Sequence, residues 1–226
     1  MDGELGVGES MTGQKFRVRF VFRKDGPMRC TSHLDLFRAW ERALRRAKLP
    51  VVYSNGFNPR PKLQIASALP LGHIGEAELV DVWLESPLPV DEIACRLRPV
   101  LPDGLGFIDG REVDLNALAL QTRVIAARYR VLVEWSEDRA QVDARVNAVL
   151  AAAEVPHERR GRTYNLRPMI LGLGVTSVEA GIVSLDMRLS AREGATARPE
   201  AVLGVLGLAG VTTWVYRQEL ILDDAE

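Results

Sequence analysis

Apolar and polar residues alternate through residues 15–23, with Phe16, Val18 and Phe20 on one side and Arg17, Arg19 and Val21 on the other. A period of two marks a strand with one buried face. Asp25-Gly26-Pro27 predicts a turn. Over 33–48 the period lengthens, and Leu36, Trp40, Ala43, Leu44 and Ala47 fall on one face of a helix. Ser32 is the expected N-cap, with Asp35 standing where a capping box usually has Glu or Gln, and Pro50 ends the helix. Residues 51–53 read as a short strand. Residues 55–62 read as a loop stiffened by Pro59 and Pro61 and bent at Gly56. Strands over 63–68 and 77–85, a helix over 90–100 and a strand over 105–113 follow.

After a connector the same order returns: a strand over 129–135, a helix over 138–153, strands over 164–176 and 182–190, a helix over 198–208 and a strand over 211–222. The order β-α-β-β-α-β is the split βαβ arrangement of ferredoxin-like folds. The expected fold is therefore α+β, with tandem ferredoxin-like domains built on antiparallel sheets. Residues 1–14 read as a disordered tail, 15–113 as the first domain, 114–126 as the connector and 127–226 as the second domain.

Composition changes this picture little until it is divided along the chain. The 226 residues are 47% hydrophobic and 26% charged, with a net charge of −1, values ordinary for a globular protein. Two cysteines, Cys30 and Cys95, do not make an all-thiolate zinc site or a disulfide scaffold. No run of about 20 apolar residues reads as a membrane span, and a cytoplasmic protein is expected. Residues 15–62, however, carry thirteen basic residues against three acidic ones, a net +10, and the remainder carries −11. Nine of the thirteen are arginines, whose planar fork suits phosphate. Arg38, Arg42, Arg45 and Arg46 lie opposite the apolar helix face, and Arg17 and Arg19 are expected on the outer face of the first strand. A polyanion is the economical partner, and RNA the expected one. A second cluster, Arg159, Arg160, Arg162 and Arg167 with Tyr164, fits single-stranded RNA more faintly.

Motifs of independent catalysis are missing: there is no Walker sequence, HExxH, GxSxG or CxxxCxxC. No cofactor and no metal are expected. His33, at the start of the first helix, either supports the cap or acts as a general base. Cys30 reads as a small buried thiol, and Phe57 either packs its loop or leaves it free for a ligand.

The run from Thr31-Ser32-His33-Leu34-Asp35-Leu36, the segment Asn55-Gly56-Phe57-Asn58-Pro59-Arg60-Pro61-Lys62, and Leu69-Pro70-Leu71-Gly72 resemble the radical SAM-linked protein family, a domain of unknown function. Tyr164-Asn165-Leu166-Arg167-Pro168-Met169-Ile170 is similar to that family's Arg-Pro element. The resemblance runs over about residues 15–222. It marks Ser32, His33, Asp35, Gly56, Phe57, Asn58, Pro59 and Pro61 as motif positions, and departs at Arg60, where the family often has His. In that family the domain is found fused behind a B12-binding-type radical SAM enzyme or encoded as a separate protein, so the resemblance implies an accessory role to a separate radical SAM protein.

Three functions stay open. One is a non-catalytic substrate-binding partner that holds RNA through Arg17, Arg19, Arg38, Arg42, Arg45, Arg46, Arg60, Lys62 and Arg167. Another is an RNA-processing endonuclease using His33. The third is a module that docks on an acidic protein.

Overall fold

The computed structural model describes residues 15–136, 138–159 and 161–223. The tail expected over 1–14 and the cluster member Arg160 lie outside the described residues. The fold is α+β, with one large, mostly antiparallel sheet and few helices.

Strand β1 (Phe16–Lys24) leads through a short 3-10 turn to helix α1 (His33–Arg46), then to β2 (Leu63–Ile65), β3 (Ile74–Leu84), α2 (Val90–Leu97) and β4 (Leu105–Val113). The second half holds β5 (Val124–Glu134), α3 (Arg139–Ala151), the ribbon strands β6 (Pro156–Arg159) and β7 (Arg162–Asn165), β8 (Ile170–Glu179), β9 (Ile182–Arg192), β10 (Ala195–Thr196), α4 (Pro199–Val205) and β11 (Thr213–Leu222). In the first half the strands lie in the order β4-β1-β3-β2, and in the second β11-β5-β9-β8, every pair antiparallel. The expectation of two separate sheets fails at one point. Strand β11 pairs in parallel with β3, Tyr216 against Ile74 and Arg217 against Gly75, and joins both halves into a continuous sheet. The three-residue β2 covers only the far end of β3, at Val80 to Val82, and leaves the near end free to take β11.

Two hydrophobic cores form on the helix side of the sheet. In the first, Val18, Phe20 and Phe22 of β1 and Val80, Val82 and Leu84 of β3 meet α1 and α2. Trp40 is fully buried, with its ring centroid 5.2 Å from Phe22 and 6.1 Å from Phe20. Cutting such a side chain to Ala removes about 3–5 kcal/mol. The second core gathers Val131, Val133, Val142, Val146, Leu185, Met187 and Val202. Helix α1 is held as its sequence suggests: the Ser32 hydroxyl accepts from the Asp35 N–H at 3.2 Å, and Arg45 and Arg46 sit in the last turn, where the helix dipole favours cations.

The strand expected over 164–176 is instead a hairpin and a new strand. Leu166 to Met169 turn the chain between β7 and β8, and β7 pairs with β6 as a separate two-stranded ribbon.

Candidate functional site

The basic face of α1 is present. Arg38, Arg42, Arg45 and Arg46 are all exposed. Arg38 reaches Asp35 at 3.5 Å, an exposed i,i+3 pair of small energetic weight. Arg46 donates to the Val100 carbonyl. Arg42 and Arg45 make no ion pair among the described residues. Of the thirteen basic residues in 15–62, ten are exposed.

The other three are not, and two of them were expected to bind the partner. Arg17 and Arg19 are 2% exposed and converge on Asp81 of β3, which is fully buried. Arg17 Nε donates to Asp81 Oδ2 at 2.8 Å, and Arg19 Nε to Oδ1 at 2.7 Å. Arg17 also donates to the carbonyls of Ala117 and Leu118 at 2.6 and 3.0 Å. Alternation correctly put these arginines off the first core, but the connector crosses the back of the sheet and closes that face too. Removing Asp81 would leave two buried guanidinium groups uncompensated, a loss of about 3–5 kcal/mol. Arg167 is likewise structural. Its guanidinium donates to the Leu150 carbonyl in the last turn of α3 at 2.9 and 3.1 Å, and to the Ile170 carbonyl at 3.1 Å.

The 55–62 segment is the tip of a small hairpin. Tyr53 bridges Pro61, the Ser54 N–H donates to the Arg60 carbonyl at 2.8 Å, and the Arg60 N–H donates to the Ser54 hydroxyl at 3.1 Å. Gly56 takes φ +133°, a conformation other residues adopt with strain. The turn throws Phe57 fully into solvent, so this side chain does not pack the loop. Asn58, Pro59 and Arg60 are exposed beside it, and Pro61 is buried at its base. Lys62 is exposed with its ammonium 4.5 Å from the Trp83 ring centroid; the Arg17 guanidinium is 4.9 Å from the same ring.

His33 is exposed at the first position of α1. Partial desolvation, and then the charge of Lys24, hold its pKa below the ordinary value, so the imidazole is neutral at neutral pH. Cys30, expected to be buried, is exposed.

Lys24 leads to a cluster that the sequence reading missed. It is 1% exposed and donates to the Thr31 carbonyl at 2.9 Å. Burial lowers its pKa, Glu78 opposes that shift and Arg217 adds to it. Glu78 of β3 accepts from Arg217 of β11 at both carboxylate oxygens, with Nε to Oε1 at 2.7 Å. Arg217 further donates to the Ser67 and Ala68 carbonyls, both at 3.2 Å. The Tyr129 hydroxyl stands against this pair, its pKa raised by burial against the pull of Arg217. The signal was available: Glu78 shares the parity of Val80, Val82 and Leu84, so an acid occupies a core-facing register. Nearby, His73 Nε2 lies 2.6 Å from Glu200 Oε1, across the two halves. Burial works against the Glu200 carboxylate, but the His73 hydrogen bond, a backbone hydrogen bond and the charges of His73 and Arg198 together outweigh it and the pKa falls. Among the described residues no group of His, Cys, Asp and Glu is arranged to hold a metal ion, and no helix is long and apolar enough to cross a membrane.

In architecture the chain resembles the crystal structure of a Cbf5-Nop10-Gar1 complex, at a TM-score of 0.50 and 12% identity, over 91% of this chain and 50% of that one. The archaeal box H/ACA sRNP Nop10-Cbf5 complex is similar at a TM-score of 0.48 and 11% identity, over 91% of this chain and 48% of that one. The chain thus spans about half the length of either, and at such identity the likeness concerns the fold alone. No curated protein matches the sequence. One family model does, over residues 17–199, which takes in the α1 face, the 55–62 hairpin, the buried Arg17 and Arg19 pairs to Asp81, and the β6–β7 ribbon. With most of its length matched, the chain belongs to the family described as an uncharacterized protein conserved in bacteria (DUF2344).

Proposed function

We propose that this protein is a non-catalytic RNA-binding accessory protein that presents substrate to a separately encoded radical SAM enzyme. The observation that carries the RNA reading is the exposed face of α1. Four arginines project from one helix, three of them without an ion pair among the described residues, while the buried cations Arg17 and Arg19 share the carboxylate of Asp81. A surface of unneutralised guanidinium groups suits phosphates. The hairpin tip adds an aromatic ring free for stacking in Phe57, with Arg60 beside it. The radical SAM partner rests on the motif resemblance of residues 31–36 and 55–62. On this reading residues 15–113 and 127–226 are two ferredoxin-like units in a cytoplasmic protein; the matching orders β4-β1-β3-β2 and β11-β5-β9-β8 support that division.

The test is RNA affinity measured across salt concentrations. A log-log slope of several units is expected, and replacing Arg38, Arg42 and Arg45 together by Ala should reduce it by about two. RNA affinity that does not respond to salt, or none at all, overturns the reading. Copurification with a radical SAM protein tests the partner separately.

A second reading draws on His33, whose neutral imidazole beside the buried ammonium of Lys24 pairs a proton acceptor with a cation. It would make the protein an RNA-processing enzyme. RNA cleavage lost in His33→Ala supports it; the absence of cleavage by the wild type removes it.

A further inference from the structure

We propose that the β6–β7 ribbon forms a second contact surface for RNA and that the RNA it takes is single-stranded, with Arg159, Arg162 and Arg198 on phosphates and Tyr164 against a base. The inference rests on the RNA-binding reading given above and assigns it a second surface and a strand state.

His157 pairs with Tyr164, and Arg159 with Arg162. Cross-strand partners share a face, as do residues two apart on one strand. His157, Arg159, Arg162 and Tyr164 therefore occupy one face of the ribbon, and Glu158 and Thr163 the other. The two rings meet edge to face with centroids 5.5 Å apart, which fixes the Tyr164 ring.

Two clefts, of about 260 and about 850 Å³, adjoin at Arg159 and Tyr164, which line both, and together make up a trough; Thr163 also lines the larger one. Arg198 and His157 line the smaller cleft, and Arg162 the larger. Four other arginines of this half are committed to acids, Arg128 to Asp186, Arg130 to Glu76, Arg139 to Asp143 and Arg217 to Glu78, while Arg188 and Arg192 are exposed without an ion pair among the described residues. Arg159 and Arg162 have no such partner among the described residues, and Arg198 makes no ion-pair contact although its charge helps to lower the Glu200 pKa. Glu200, the acid in the trough, is already held by His73.

The trough also lies on a connected path from α1. The Gly72 N–H donates to the Arg29 carbonyl just ahead of α1, and His73, the next residue, reaches Glu200 at the trough. Stacking on Tyr164 requires a base free of its pair, which a duplex does not offer.

The experiment measures binding of a fluorescein-labelled single-stranded RNA of about sixteen nucleotides, and of its duplex, to the full chain. The variants are Arg159→Ala with Arg198→Ala, Tyr164→Ala, Tyr164→Phe, and the α1 triple-alanine protein, each checked by thermal unfolding. The arginine pair and Tyr164→Ala should each weaken single-strand binding about tenfold, Tyr164→Phe by less than about twofold, and the duplex should bind more weakly than the single strand. If Tyr164→Ala does not fold, the arginine pair and Tyr164→Phe decide. Ribbon variants that bind like the wild type, while the α1 protein loses affinity, overturn this inference and leave the α1 reading standing. Loss in the ribbon variants alone supports the ribbon and overturns the α1 assignment. A wild type that binds no RNA overturns both, and a duplex bound as tightly as the single strand overturns the strand assignment.

Discussion

Glu78 and Arg217 are 139 positions apart in the chain, are each 2% exposed, and face each other across the parallel junction of β3 and β11. The pair stands where the two halves of the sheet meet. A buried pair of this kind is retained less for net stability than for the penalty of breaking it, because either partner alone is an uncompensated charge in a dry site.

Glu78→Ala is therefore expected to lower the unfolding free energy by about 3–5 kcal/mol. The double replacement Glu78→Leu with Arg217→Met should recover a large part of that loss, since it removes both charges and keeps apolar volume. Urea unfolding of the three proteins checks this. A double variant as unstable as the single would show that the bonds from Arg217 to the Ser67 and Ala68 carbonyls dominate instead.

The His33 imidazole should titrate below 6.5, the ordinary value, because burial and then the Lys24 charge oppose its protonation. A group with a lowered folded pKa binds fewer protons folded than unfolded. Its contribution therefore favours the folded state at neutral pH and is lost as pH falls below the ordinary value. An NMR titration of the ring carbon protons reads the midpoint directly. Lys24→Met should move it part of the way back up, and a midpoint unchanged by that replacement would remove Lys24 as a cause.

Phe57→Ala should leave the melting temperature within about 1 °C of the wild type, since no burial is lost. On the RNA reading it should weaken single-strand binding by a factor of about ten, the scale of one lost stack. Unchanged RNA affinity would take the hairpin tip out of the binding face.

Gly104 takes φ +81°, and a Cβ there would lie 2.4 Å from the Asp25 carbonyl oxygen and 3.1 Å from Met28 Cβ. Gly104→Ala combines a left-handed penalty of about 1–2 kcal/mol with a backbone clash. The expected result is a loss of more than about 2 kcal/mol, measured by urea unfolding. A loss under about 1 kcal/mol would mean the Asp25 turn shifts aside freely.

What was legible in the sequence follows from the range of the physics involved. Local periodicity and capping chemistry located α1 with its Ser32 cap, and β4 at its observed ends. They also put Arg38, Arg42 and Arg45 on an exposed face, because helix geometry fixes angles between near neighbours. Burial of Arg17 and Arg19 depends on Asp81, more than sixty residues away, and on a connector that crosses the sheet a hundred residues on. Alternation says that a strand has two faces; it does not say that both are covered. The β6–β7 ribbon was hidden for a similar reason. Tyr164 and Ile170 both suit strands, and only the turn through Leu166 to Met169 sends them into different sheets.

The position of β11 bears on how the protein is made. This strand is the last of those described, yet it lies in the interior of the sheet, between β5 and β3. A nascent chain that has not yet delivered residues 213–222 holds two half-sheets with open edges and an unanswered carboxylate at Glu78. Joining them requires pairing between the most distant parts of the sequence, a slow kind of contact to form. The halves can collapse during synthesis, but the seam closes only after residues 213–222 have been made. Until then the unpaired edges of β3 and β5 are where chaperones, or another copy of the chain, would find it.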